Sequence, residues 1–143
     1  MPMKARRRQP NRRRKIISLD ITPQIAVSRN LLQGYGDGGF RVAGGARLES
    51  SHILFPEESS PWAVTSAAAI TLESLNVVID KANEIDILIV GCGLDFQPIP
   101  DALRQGLKKY GIVLEWMDTG AACRTFNVLL VEERSVAAAL IAI

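Results

Sequence analysis

Hydrophobic and polar positions change period twice along this chain, and the changes mark its organisation. From Leu31 to Pro56 the pattern alternates and is punctuated by Gly34, Gly36, Gly38, Gly39, Gly44 and Gly45. Asp37-Gly38-Gly39 reads as a turn, because glycine reaches positive φ at little cost, and Phe40 to Val42 returns as a short strand. Gly44 and Gly45 turn the chain again. Ala46 to Phe55 is the next predicted strand, with Ile53 and Phe55 on one face, His52 and Leu54 on the other, and Pro56 ending it. This first third is expected to form an antiparallel meander.

After Trp62 and the polar turn at Ser66 the period becomes 3.6. Ile70 and Leu75 bracket an N-cap threonine, Thr71, as a hydrophobic staple, and Leu72, Leu75, Val78, Ile79 and Ala82 line one face of a helix ending near Asn83. Ile85 to Val90 is a nearly unbroken apolar run, the signature of a strand covered on both faces. A loop from Gly91 to Gln97 follows. Pro98 and Pro100 then start a second helix with Leu103 and Leu107 inward and Gly111 at its C′ position. Ile112 to Met117 is a strand, Thr119 to about Glu132 a third helix with Ala122, Phe126, Leu129 and Leu130 facing inward, and Val136 to Ile141 a final strand. Strands separated by a helix of this length need right-handed crossovers, so Ile85 to Val90 and Ile112 to Met117 are parallel neighbours with their carboxyl ends at one edge. The fold class is α/β, and that edge is where an open α/β sheet holds its sites.

Composition narrows the setting. A chain of 143 residues, 48% hydrophobic and 22% charged, can bury one sizeable core. No apolar run reaches the about 18 residues that a membrane span needs, and no secretory signal is recognisable, which points to the cytoplasm, or to the matrix side of a mitochondrion in a eukaryote. Two cysteines, Cys92 and Cys123, are too few for a disulfide framework and lack zinc-site spacing, so neither disulfide nor metal is expected. The net charge of +2 conceals a split: eight of the seventeen basic residues lie within residues 1–15, leaving nine against fifteen acids from Ile16 onward. Residues 1–15 are therefore expected to be a disordered basic tail, able to touch nucleic acid or an anionic membrane weakly, and 16–143 a single α/β domain.

Candidate chemistry gathers where two strands end. Gly91, Cys92 and Gly93 leave the first, and Asp118, Thr119 and Gly120 leave the second and open a helix that carries Cys123, Arg124 and Asn127. Helix amides at Gly120 and Ala121, with Arg124 and Arg134, suit a carboxylate or phosphate. Cys123 near a helix start is expected to have a lowered thiol pKa. A cysteine nucleophile needs a base, however, and the only histidine, His52, sits in the β-rich third, with Asp95 and Asp118 as the alternatives. Gly91-Cys92-Gly93 is half of a dinucleotide fingerprint and fails the rest, because Gln97 and Pro98 follow where a glycine and a helix start are required. No catalytic residue, cofactor or metal is assigned. The expectation is a ligand or partner cleft formed by Gly91, Cys92, Gly93, Asp118, Thr119, Gly120, Cys123, Arg124, Asn127 and Arg134.

Gly91-Cys92-Gly93, the run Met117 to Asn127, Glu133-Arg134 and Val136 to Ile141, with Trp62 and the glycine-rich turn before Phe40, resemble the mitochondrial complex I assembly factor three family and its small bacterial and archaeal relatives. The resemblance spans about residues 20 to 143. It implies a three-layer α/β domain whose central mixed sheet has five strands, the last antiparallel to the others. It also implies a non-catalytic binding protein whose partners are respiratory complex subunits or other assembly factors. The chain departs from the family in its basic tail and in having Glu133 where a glycine is frequent. The alternative function is a small-molecule-binding or thiol-dependent enzyme using the cleft.

Overall fold

A computed structural model describes residues 16–19 and 29–143; the basic segment 1–15 lies outside the described residues. Strands β1 (Ile16–Ser18), β2 (Leu32–Gly36), β3 (Gly39–Val42) and β4 (Arg47–Glu49) form an antiparallel sheet in that order. Strands β5 (His52–Leu54), β6 (Ser59–Pro61), β7 (Ile87–Gly91), β8 (Val113–Met117) and β9 (Val136–Leu140) form a mixed sheet in the order β6-β5-β9-β7-β8. Helices α1 (Asn76–Ile79), α2 (Leu103–Lys108) and α3 (Thr119–Val131) accompany them.

The mixed sheet is covered on both faces. Ile53, Leu88, Val90, Leu114, Trp116, Ala137 and Ala139 point into one core with Leu75 and Val78, and with Leu103 and Leu107 of α2. Leu54, Ile89, Val136, Ala138 and Leu140 point into the other with Phe126 and Leu130 of α3 and with Leu32, Tyr35 and Phe40 of the first sheet. The expected three layers are therefore present. The apolar run after Ile85 is β7, buried on both sides as an interior strand should be.

Four expectations are corrected. The stretch Ala46–Phe55 is two strands, because Ser50 takes a left-handed conformation (φ 68°) and its N–H donates to the Gly38 carbonyl at 2.8 Å, sending β4 and β5 into different sheets. The helix from Thr71 to Asn83 is broken into 3₁₀ turns at Glu73–Leu75 and Ala82–Glu84 with only Asn76–Ile79 α-helical. Thr71 does accept the Ser74 N–H through its hydroxyl at 3.1 Å, but Val77, Val78 and Ile79 follow, and β-branched residues propagate a helix poorly. Leu75 and Val78 still bury completely. The second helix begins at Leu103 rather than at the prolines, after Ala102 in a left-handed conformation (φ 63°).

The last strand, finally, is not the antiparallel one. Strand β9 runs parallel to β7, with Ile87 opposite Val136 and Gly91 opposite Leu140, while β5 is antiparallel to both of its neighbours, β6 and β9. The reason is the crossover: α3 carries the chain back along the sheet, so β9 enters from the same end as β7 and β8.

Strand β9 is alanine-rich because it is central and crowded from both faces, each of Ala137, Ala138 and Ala139 being inaccessible to solvent. Replacing Ala139 by Leu is expected to destabilise the fold by about 1–3 kcal/mol through overpacking, measured by chemical denaturation.

Candidate functional site

The two strand ends do meet. Gly91 closes β7, the Cys92 N–H donates to the Met117 carbonyl at 2.8 Å, and Gly93 takes φ 115°, a glycine conformation, to turn the chain across the edge. From the other side Asp118 caps α3, its Oδ1 accepting the Ala121 N–H at 2.9 Å. Thr119 joins everything. Its N–H donates to the Gly93 carbonyl at 2.9 Å, its Oγ1 accepts the Gly93 N–H at 3.0 Å, and its hydroxyl donates to the Ile141 carbonyl at 2.8 Å. The Ile141 N–H in turn donates to the Gly91 carbonyl at 3.0 Å.

This network closes the junction. A Cβ on Gly91 would lie 2.9 Å from the Thr119 Cα, and one on Gly120 would lie 2.6 Å from the Tyr35 hydroxyl oxygen. Both glycines are there so that β7 and β2 can pack directly against the first turn of α3. Three of the first helix amides are used internally: Thr119 N–H on Gly93, Ala121 N–H on Asp118 Oδ1 and Ala122 N–H on the Asp118 carbonyl. An anion at this helix start would have to displace them.

Cys92, Cys123 and Asn127 are buried. The Cys92 Sγ accepts the Gln97 N–H at 3.3 Å and so folds the following loop. Burial pushes the Cys123 thiol up to about 12 from 9.0; neighbouring Arg124 lowers it but is outweighed by desolvation, and Asp118 adds to the rise. The lowered thiol pKa expected from the helix start is thus reversed, because the side chain points into the core rather than along the axis. Asn127 grips one residue of β2, accepting the Leu32 N–H at 2.8 Å and donating to the Leu32 carbonyl at 2.9 Å, at the irregularity between Leu32 and Gly34. Arg124 is exposed, and so is Arg134, which stands apart at the far end of α3 beside the start of β9. His52 reaches the same sheet edge opposite Leu140, but its ring is buried with Nδ1 3.0 Å from the Ser50 carbonyl oxygen. Among the described residues no three His, Cys, Asp or Glu side chains converge as metal ligands, and no helix is long and apolar enough to cross a membrane.

Two features escaped the reading of the sequence. In the loop leaving β7, Leu94 and Phe96 stand 72% and 64% exposed. A groove of about 440 Å³ opens between residues 68–73 and the start of α2, with Ile70, Leu72, Pro100 and Leu103 among its walls. The signal for the first was present as two large apolar residues between Gly93 and Pro98; the second needs the packing of distant segments.

Thr119→Val keeps the shape and removes the hydroxyl, stranding the Gly93 N–H and the Ile141 carbonyl. It is expected to cost about 2–4 kcal/mol in urea unfolding. Cys92 and Cys123 should both resist alkylation in the native protein at pH 8 and react once it is unfolded. Above about pH 9 the unfolded Cys123 thiol ionises while the folded one keeps its proton, so native stability should fall as pH rises toward about 12, and Cys123→Ala should flatten that part of the pH–stability curve.

Residues 32–141 match the model of a family described as a protein of unknown function, DUF498/DUF598. An uncharacterised protein of Rhodobacter capsulatus is 34% identical over 110 residues, covering 77% of this chain and 82% of that protein. NADH dehydrogenase (ubiquinone) 1 alpha subcomplex assembly factor 3 of Danio rerio is 33% identical over 124 residues, covering 87% of this chain and 71% of that protein. A solution structure from Bordetella pertussis, described as an Mth938-like domain, superposes with a TM-score of 0.73 at 26% identity, covering 87% of this chain and 92% of that one. With the family model matched over residues 32–141, most of its length, the chain belongs to the DUF498/DUF598 family.

Proposed function

We propose that this protein is a non-catalytic binding factor that acts in the assembly of an NADH dehydrogenase complex, by contacts with subunits of that complex or with other assembly proteins. The observation that carries this reading is the kinship with assembly factor 3, which extends over most of both chains. The chemistry of the edge is consistent with it. Both thiols are buried, Cys123 is held protonated, and the one histidine is occupied by a backbone carbonyl. A nucleophile requires the opposite: an accessible thiolate with a base in reach. The outward parts of the junction, Asp118 and Arg124 with the loop after Gly93, form the surface through which a protein partner is met.

Loss of the protein from its native cell should lower the amount of assembled NADH dehydrogenase on native gels while the transcripts of its subunits are unchanged. The intact chain and Cys123→Ala should restore assembly equally, as a binding role predicts. Restoration by the intact chain alone, with the variant folded and abundant, would instead assign the role to the thiol.

A further inference from the structure

We propose that Leu94 and Phe96 are the anchors by which the protein holds a protein partner, both entering an apolar hollow of that partner whose rim carries a cation for Asp95. The inference rests on the binding role proposed above and names the chemistry of the surface that this role requires. Among the described residues Leu94 and Phe96 are the two most exposed large apolar side chains, and they lie two positions apart. Scattered apolar residues on a surface need no explanation, but the two greatest exposures falling in one loop do.

The loop is pinned at both ends and in its middle. Its start is fixed by Gly93, which is bonded to Thr119 in both directions. In the middle the Cys92 Sγ accepts the Gln97 N–H at 3.3 Å, and the Cys92 thiol donates to the Asp95 carbonyl at 3.7 Å. At the far end the Trp116 indole donates to the Gln97 carbonyl at 2.8 Å, and Ile99 packs against the core. All of these bonds use the main chain of the loop, and none occupies the side chain of Leu94, Asp95 or Phe96. A backbone ordered before binding loses little conformational entropy when its side chains are covered, and an aromatic side chain contributes heavily to an interface that buries it.

Charge decides the occupant. Asp95, between the two apolar residues, is itself exposed. An anionic bilayer would repel it, and carrying its carboxylate toward the hydrocarbon costs more than one Leu and one Phe return. A second copy is opposed in the same way, because the apolar groove of this protein is walled in part by Glu73 and Asp101, both exposed acids. A different protein can supply what neither offers, an apolar hollow bordered by Lys or Arg. A carboxylate set beside apolar anchors then also selects among partners, since a hollow rimmed by acids would reject it.

Photocrosslinking of the full chain in its native cell tests this. Phe96→benzoylphenylalanine is expected to crosslink on irradiation to a subunit of NADH dehydrogenase or to another of its assembly proteins, identified by mass spectrometry. Adding Asp95→Lys should remove most of that product, and Val128→benzoylphenylalanine, at an exposed position of α3, should not form it. In cells lacking the protein, the double variant Leu94→Ser, Phe96→Ser should leave most NADH dehydrogenase unassembled, although its thermal midpoint matches that of the intact chain. Full restoration by that variant, or a crosslink that Asp95→Lys leaves undiminished, would overturn the proposal while the assembly role stands. Products containing only lipid or a second copy of this chain would overturn it as well. If loss of the protein leaves NADH dehydrogenase fully assembled, the assembly role fails and this inference falls with it.

Discussion

The narrowness of strand β9 is the constraint on which the architecture rests. Its three consecutive alanines are fully buried, and they let two cores approach the sheet from opposite sides at its centre. Larger side chains there would push α3 from one face or the α2 layer from the other, and close packing leaves neither room to move. The wider Leu88, Ile89 and Val90 stand one strand away on β7, and on β9 itself Val136 and Leu140 flank the alanines at its two ends.

The edge at the end of that strand shows how one side chain can settle the use of a helix terminus. A helix start above a parallel sheet is an anion site when its amides face outward. Here Thr119 and Asp118 take those amides for the fold, and the threonine hydroxyl links β7, β9 and α3 at one point. Glycine at 91 and 120 is the consequence of that closeness. What the junction leaves outward is Asp118 and Arg124 with the loop after Gly93.

Glu133 shows a helix end closed without a glycine. It takes φ 57°, the left-handed conformation that glycine adopts easily, at the turn from α3 into β9. Its N–H donates to the Leu130 carbonyl and that of Arg134 to the Leu129 carbonyl, a helix C-terminal closure that the fold retains without the glycine.

Some elements were legible in the chain because their signals are local. The apolar run of β7, the capping Asp118, the spacing of Ala122, Phe126 and Leu130, and the turn at Gly38 each depend on residues near one another, and each appears where the pattern puts it. The meeting of Gly91–Gly93 with Asp118–Gly120 also followed from crossover geometry alone. Tertiary structure decided the rest. Ser50 is an ordinary serine until a distant glycine carbonyl receives its N–H and splits one expected strand between two sheets. The place of β9 between β5 and β7 depends on which side of β7 the returning chain finds open, and the state of Cys123 depends on which way α3 rolls. The position in the chain favoured a thiolate, whereas the core around Phe126 and Leu130 keeps the thiol neutral. Sequence specifies which faces must be buried; only packing determines what buries them, and with it the ionisation, accessibility and partners of the groups between.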